Sequence, residues 1–162
     1  MVDQGPQGYW VIVASLFAAA VLAVMPLPPW LQWARPEWAA LVVIYWVIAL
    51  PHRVGVVTAL VFGVLLDVVE GAVLGQNALA LSLLAVLSLA IYQRLRVFAL
   101  WQQAAVVLLL VGINQLLSQW VQNLEGAGAQ TLLFLLPAFT SALLWPVVLH
   151  TLRGLRRRYR VT

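Results

Sequence analysis

Cysteine is absent from these 162 residues, and so is lysine. The first absence excludes disulfides, thiolate metal sites and cysteine nucleophiles. The second makes all nine basic residues arginine. Acids are scarcer still: Asp3, Glu37, Asp67, Glu70 and Glu125 are the full set, and charged residues are 9% of the chain, against about 25% in an ordinary soluble domain. Only Asp67 falls well inside an apolar segment, too few for a chain of buried carboxylates passing protons or ions. Asp67 and Glu70, three apart on one helical turn, do not make the facing pair that glycoside chemistry needs. His52 and His150 sit in separate segments, with no spacing that brackets a metal. There is no phosphate-binding loop, dinucleotide fingerprint, His-Glu-x-x-His or Gly-x-Ser-x-Gly motif, and no internal repeat or low-complexity tract. The chain therefore reads as a non-enzyme with no cofactor and no metal.

What the sequence does hold is apolar surface. Hydrophobic residues are 64% of the chain, and mean hydropathy is +0.99. A water-soluble fold would have to expose much of that surface, whereas a bilayer accepts it. A membrane helix needs about 20 mainly apolar residues rising about 1.5 Å each, so 162 residues hold six crossings in one domain. The expected fold is all-α, a polytopic bundle with helices near 9–25, 37–50, 54–69, 77–92, 100–121 and 131–152, then a basic tail over 153–162. The breakers are Pro26-Leu27-Pro28-Pro29, Pro51, Gly71 and Gly126-Ala127-Gly128. Residues 1–8 carry only Asp3, without the basic residues that precede a cleaved signal, so the first run is read as a retained helix. Pro137 and Pro146 fall inside the sixth segment and predict kinks.

Charge sets the expected orientation. With the amino terminus inside, Arg53, Arg94, Arg96, Arg153, Arg156, Arg157, Arg158 and Arg160 are all cytoplasmic, and only Arg35 is outside. Basic residues resist translocation, so both termini are expected in the cytoplasm. The eight inner arginines act as anchors to anionic lipid headgroups. Because they sit at segment ends and not along a soluble face, nucleic acid is not the expected partner. Glu37, Glu70 and Glu125 fall near the outer ends.

The third segment has the most specific pattern. Gly55, Ala59, Gly63 and Asp67 recur every four residues, and the spacing continues to Gly71 and Gly75. Small residues on one helix face let two membrane helices approach closely. The stripe is a packing seam within the bundle or a docking face for another membrane protein. Asp67 is read as structural, bonding to a neighbouring helix or to the following loop; a partner contact or a relay are the alternatives. Asn114, Gln115, Ser118 and Gln119 make the outer half of the fifth segment polar, either to bond adjacent helices or, with Asp67, to line a ligand cavity.

Several strings extend the reading. Arg35-Pro36-Glu37-Trp38, the run Tyr45-Trp46-Val47-Ile48-Ala49-Leu50-Pro51-His52-Arg53-Val54, the block from Gly63 through Leu66-Asp67 to Leu74-Gly75, Ala99-Leu100-Trp101-Gln102-Gln103 and Leu144-Trp145-Pro146 together resemble the rod-shape-determining MreD family. The resemblance spans essentially the whole chain. It implies a non-enzymatic scaffold in the bacterial inner membrane, within the machinery for elongation and lateral peptidoglycan synthesis. The partners it implies are MreC, MreB, RodA and a class B penicillin-binding protein. It also implies a six-helix layout similar to the substrate-binding subunits of energy-coupling-factor transporters, an analogy of fold that assigns no ligand. A small-molecule-binding or transport subunit with a polar intramembrane cavity is the alternative function.

Overall fold

A computed structural model describes residues 8–126 and 135–161. Every regular element among them is helical: α1 (Tyr9–Val24), a 3₁₀ turn (Gln32–Ala34), α2 (Trp38–Ala49), α3 (Val56–Glu70), α4 (Gln76–Val97), α5 (Leu100–Leu124) and α6 (Leu136–Arg158). Within the described residues, α4 and α5 are long and apolar enough to cross a membrane, and α1 and α2 are shorter apolar helices.

The proline and glycine breakers explain the ends. Met25 leaves the helical region before Pro26, as a residue preceding proline is driven to do. Leu50 does the same before Pro51. α3 stops at Gly71, whose φ of 66° is left-handed and favours glycine. At the start of α5 the Ala99 N–H donates to Gln102 Oε1 at 3.0 Å, the side-chain-to-backbone half of a capping box.

The short α2 is the hub. It packs against α1, α4, α5 and α6 and is buried from Ala39 through Val47. Twelve residues give a length of about 18 Å, well short of a hydrocarbon core of about 30 Å. A helix apolar all round is one surrounded on all sides, and here the surroundings are other helices. Trp46 is fully buried, and its indole N–H donates to Ser15 Oγ on α1 at 2.7 Å. Ser15 in turn donates to the Ile12 carbonyl. A second indole ties α6 to α5, with Trp145 Nε1 donating to Gln103 Oε1 at 3.2 Å.

The start of α1 and the end of α6 meet. Trp10 and Tyr159 stack edge to face with centroids 4.8 Å apart, and a Cβ on Gly8 would lie 2.7 Å from Val161. Arg96 of α4 donates to the Ile48 and Ala49 carbonyls, so the ends of α2 and α4 lie together. The molecule thus has an arginine-rich end and an opposite, acidic end.

Three expectations need correction. The four-residue stripe does not continue along one helix: Gly55 is the N-cap of α3, Gly71 its C-cap and Gly75 the N-cap of α4. Gly71 and Gly75 both have positive φ, so their spacing reflects a turn. Next, Arg94 and Arg96 belong to the last turn of α4, and Arg153, Arg156, Arg157 and Arg158 to α6. Arginine is a good helix former, and its charge suits a helix C-terminus, so the helices run on where a loop and a tail were expected. Finally, Pro137 lies in the first turn of α6 and Pro146 inside it. A first-turn proline forfeits only an N–H that has no helical partner, so it need not kink the helix. The expected start of the sixth helix, 131–134, lies outside the described residues.

Candidate functional site

The acidic end is built on the α3–α4 hairpin. Gly63 allows the closest approach: an added Cβ would lie 2.4 Å from Ala78 Cα, 2.6 Å from Ala78 N and 2.7 Å from Asn77 O. All three atoms are backbone. Ala59, one turn earlier, is fully buried, while Val57, Val61, Val64 and Val68 of the same helix are exposed. The small residues Ala59 and Gly63 therefore face α4, and the outward face of α3 is branched and aliphatic. At Gly55, Gly71 and Gly75 a Cβ would meet nothing within 4 Å.

Asp67 completes the hairpin. It is 1% exposed. Its Oδ1 accepts from Asn77 N–H at 2.8 Å, and its Oδ2 accepts from Gly75 N–H at 2.8 Å and Ala78 N–H at 3.4 Å. These donors open α4, where helical N–H groups have no intrahelical acceptor and the dipole favours an anion. In an apolar surrounding each unsatisfied group would cost several kcal/mol. The Asp67 carbonyl also accepts from Ala72 N–H at 3.0 Å. Side chain and main chain of one residue thus fasten both sides of the turn.

Around it lies a second ring of polar contacts. Asn77 Nδ2 donates to Glu70 Oε2 at 2.9 Å. Gln115 Nε2 on α5 donates to Glu37 Oε1 at 2.6 Å, and the Glu37 N–H donates to Ser141 Oγ on α6 at 2.9 Å. The Arg35 guanidinium donates to the Ala23 and Met25 carbonyls, which the end of α1 leaves open. These contacts border a cleft of about 550 Å³, lined by Arg35, Glu37, Glu70, Asn77 and Asn114 over apolar walls that include Leu66. Asn114 is 5% exposed, and its Oδ1 is buried with no hydrogen-bond partner.

Of the cavity residues expected from sequence, Asn114 lines this cleft, Gln115 reaches it through Glu37, and Asp67 is spent inside the hairpin. Ser118 and Gln119 are buried on α5, with Gln119 Nε2 3.4 Å from Asn123 Oδ1. The polar lining of Arg35, Glu37 and Asn77 carries no motif of recognisable chemistry. Its one sequence signal is the Arg35-Pro36-Glu37 charge pair after a proline-rich loop. His52 is exposed at its turn, and His150 Nδ1 lies 2.7 Å from the Pro146 carbonyl. Among the described residues no three His, Asp or Glu side chains gather as metal ligands.

At the opposite end, Arg96, Arg153 and Arg156 border a smaller cleft, and Arg157 adjoins it. Arg94 is exposed on the last turn of α4. Arg53 lies in the turn after α2. Arg158 lies over the Tyr159 ring at 5.8 Å, and Arg160 follows with a φ of 48°.

Residues 4–155 match the sequence model of a family described as rod shape-determining protein MreD. A rod shape-determining protein MreD from Haemophilus influenzae is 35% identical over 153 residues, covering 94% of this chain and 94% of that relative. No solved structure matches.

Proposed function

The chain belongs to the MreD family of rod shape-determining proteins, and from that premise we propose that it is a non-enzymatic scaffold of the bacterial elongation machinery in the inner membrane. Its role is in cell shape. On this reading it organises lateral peptidoglycan synthesis by holding other membrane proteins together. MreC is the direct partner, and MreB, RodA and a class B penicillin-binding protein are joined directly or through it.

The observation that carries the proposal is the character of the surface. The links from α2 to α3, α3 to α4 and α4 to α5 are short, and the exposed large side chains of the described residues are mostly aliphatic or aromatic and lie along helix faces. Between α1 and α3 runs an apolar groove of about 600 Å³, walled by residues such as Val13, Phe17, Val61 and Leu65. Such a molecule meets partners helix to helix, where association rests on packing and lipid displacement. The acidic-end polar groups are mostly engaged with one another, which suits a rigid connector.

Depletion of the protein in its rod-shaped host tests this. Cells are expected to round up within a few generations, and a tagged copy restoring rod shape is expected to retain MreC through detergent extraction. Normal rods after depletion, with an intact elongation complex, would contradict the proposal.

One observation favours a second reading. The acidic-end cleft, with the unpartnered Asn114 carbonyl in its wall, has the volume of a ligand site, about 300–1,000 Å³. A small molecule retained by the wild-type protein and lost from Asn114→Leu, read by mass spectrometry, would move the assignment to a binding or transport subunit.

A further inference from the structure

We propose that the notch between the end of α2 and the arginine-bearing ends of α4 and α6 binds a phosphate group, carried by an anionic phospholipid or free in solution. The notch has a volume of about 330 Å³ and contains Tyr45, Arg96, Gln103, Trp145, Arg153 and Arg156. Among the described residues no carboxylate lines it, and its cations have no acidic partner there.

Its floor is fixed. Gln103 Nε2 donates to the Leu95 carbonyl at 2.8 Å, and Gln103 Oε1 accepts from the Trp145 indole. Both groups are thereby spent and hold their place. Arg96 is tethered across the end of α2 through Nε to Ile48 O at 2.8 Å and Nη2 to Ala49 O at 3.2 Å. Its Cζ also lies 5.1 Å from the Tyr92 ring centroid. This leaves Nη1 of Arg96 as a positioned donor at the rim.

The remaining donors come from three directions. Arg153 and Arg156, three apart on α6, share one face, an arrangement of like charges that repels unless an anion lies between them. Tyr45 is 3% exposed but lines the notch, where its hydroxyl oxygen is bonded to Arg156 and feels the charges of Arg153 and Arg157; the phenol O–H remains to donate. Guanidinium forks converging with a hydroxyl suit an oxyanion that accepts on several sides, which phosphate does better than a planar carboxylate. Apolar Ile48 and Leu149 complete the lining. That combination suits a headgroup whose acyl chains continue along the helices, as basic pockets between membrane helices do for anionic lipids.

The test uses the full chain purified in a neutral detergent. Native mass spectrometry with added phosphatidylglycerol or phosphatidylcholine compares wild type, Arg153→Gln/Arg156→Gln, and Arg158→Gln/Arg160→Gln. The last pair removes the same charge from outside the notch. Retention of phosphatidylglycerol over phosphatidylcholine, reduced about tenfold by the first pair and less than about twofold by the second, supports a lipid as the source. Thermal stabilisation by inorganic phosphate over chloride at equal ionic strength, lost in the first pair alone, supports free phosphate. Tyr45→Phe, which keeps the fold's packing and all charges, is expected to weaken whichever binding is found. Equal losses from the two arginine pairs, or no preference for phosphate in either arm, would overturn the proposal. The outcome is independent of which proteins the scaffold contacts.

Discussion

Replacing Gly63 by alanine is expected to lower the unfolding temperature of the detergent-solubilised protein sharply, and valine to prevent recovery of folded protein. The cause is geometric. A Cβ at position 63 would stand 2.4 to 2.7 Å from three backbone atoms of Asn77 and Ala78, and backbone has no rotamer by which to withdraw. Relief requires α4 to move away from α3. Overpacking a core costs about 1–3 kcal/mol when side chains can adjust, so this case belongs at or beyond the upper limit. The movement would also lengthen the Asp67 contacts to Gly75, Asn77 and Ala78, adding a second loss. Gly112→Ala is the control: that glycine is helical and a Cβ there meets nothing within 4 Å. It should be neutral or stabilising by up to about 1 kcal/mol through helix propensity. Equal melting of the Gly63→Ala and Gly112→Ala proteins would show that the close approach is not a constraint.

Asp67→Asn should be the second large effect, despite its nearly unchanged shape. The two carboxylate oxygens of Asp67 face N–H donors on both sides. An amide keeps one acceptor and turns its NH₂ towards the donors it displaces. At least one N–H of α4 is then left without an acceptor, and the anion at the helix N-terminus is gone. Hydrogen bonds to charged groups are worth about 1.5–3 kcal/mol each, and the dipole contribution adds about 0.3–1 kcal/mol. A loss of about 2–4 kcal/mol is expected, seen as a lower melting temperature and reduced protein level. Because Gly63 and Asp67 secure the same pair of helices, the double variant should lose less than the sum of the singles. An Asp67→Asn protein of wild-type stability that failed to restore rod shape would contradict the structural assignment and point to a partner contact or a relay.

The residues that proved informative were those whose constraint is local. Proline after Met25 and after Leu50 marked two helix ends, and the spacing of Ala59, Gly63 and Asp67 marked the face of α3 that meets α4. The same spacing misled at Gly71 and Gly75. A four-residue interval says nothing about φ, and glycines that cap a turn recur at the interval of glycines that pack. α2 shows a different limit. A uniformly apolar helix reads the same whether lipid or protein surrounds it, so its position at the hub followed only from the fold. Arg35, Glu37 and Gln115 were least legible. Glu37 and Gln115 are 78 residues apart, and no pattern on either helix names the other. The arginine-bearing helices outrun their apolar segments for a simpler reason: charge does not end a helix, and at a C-terminus a cation favours one more turn.

A scaffold of this kind needs its arginine-rich end in the cytoplasm and its acidic end outside, and one measurement addresses this directly. The chain has no cysteine, so single cysteines at Glu125 and Arg158, both exposed, report without background. A membrane-impermeant maleimide applied to intact spheroplasts should label Glu125→Cys at once and Arg158→Cys only after the membrane is opened. Labelling of Arg158→Cys in intact spheroplasts would contradict it.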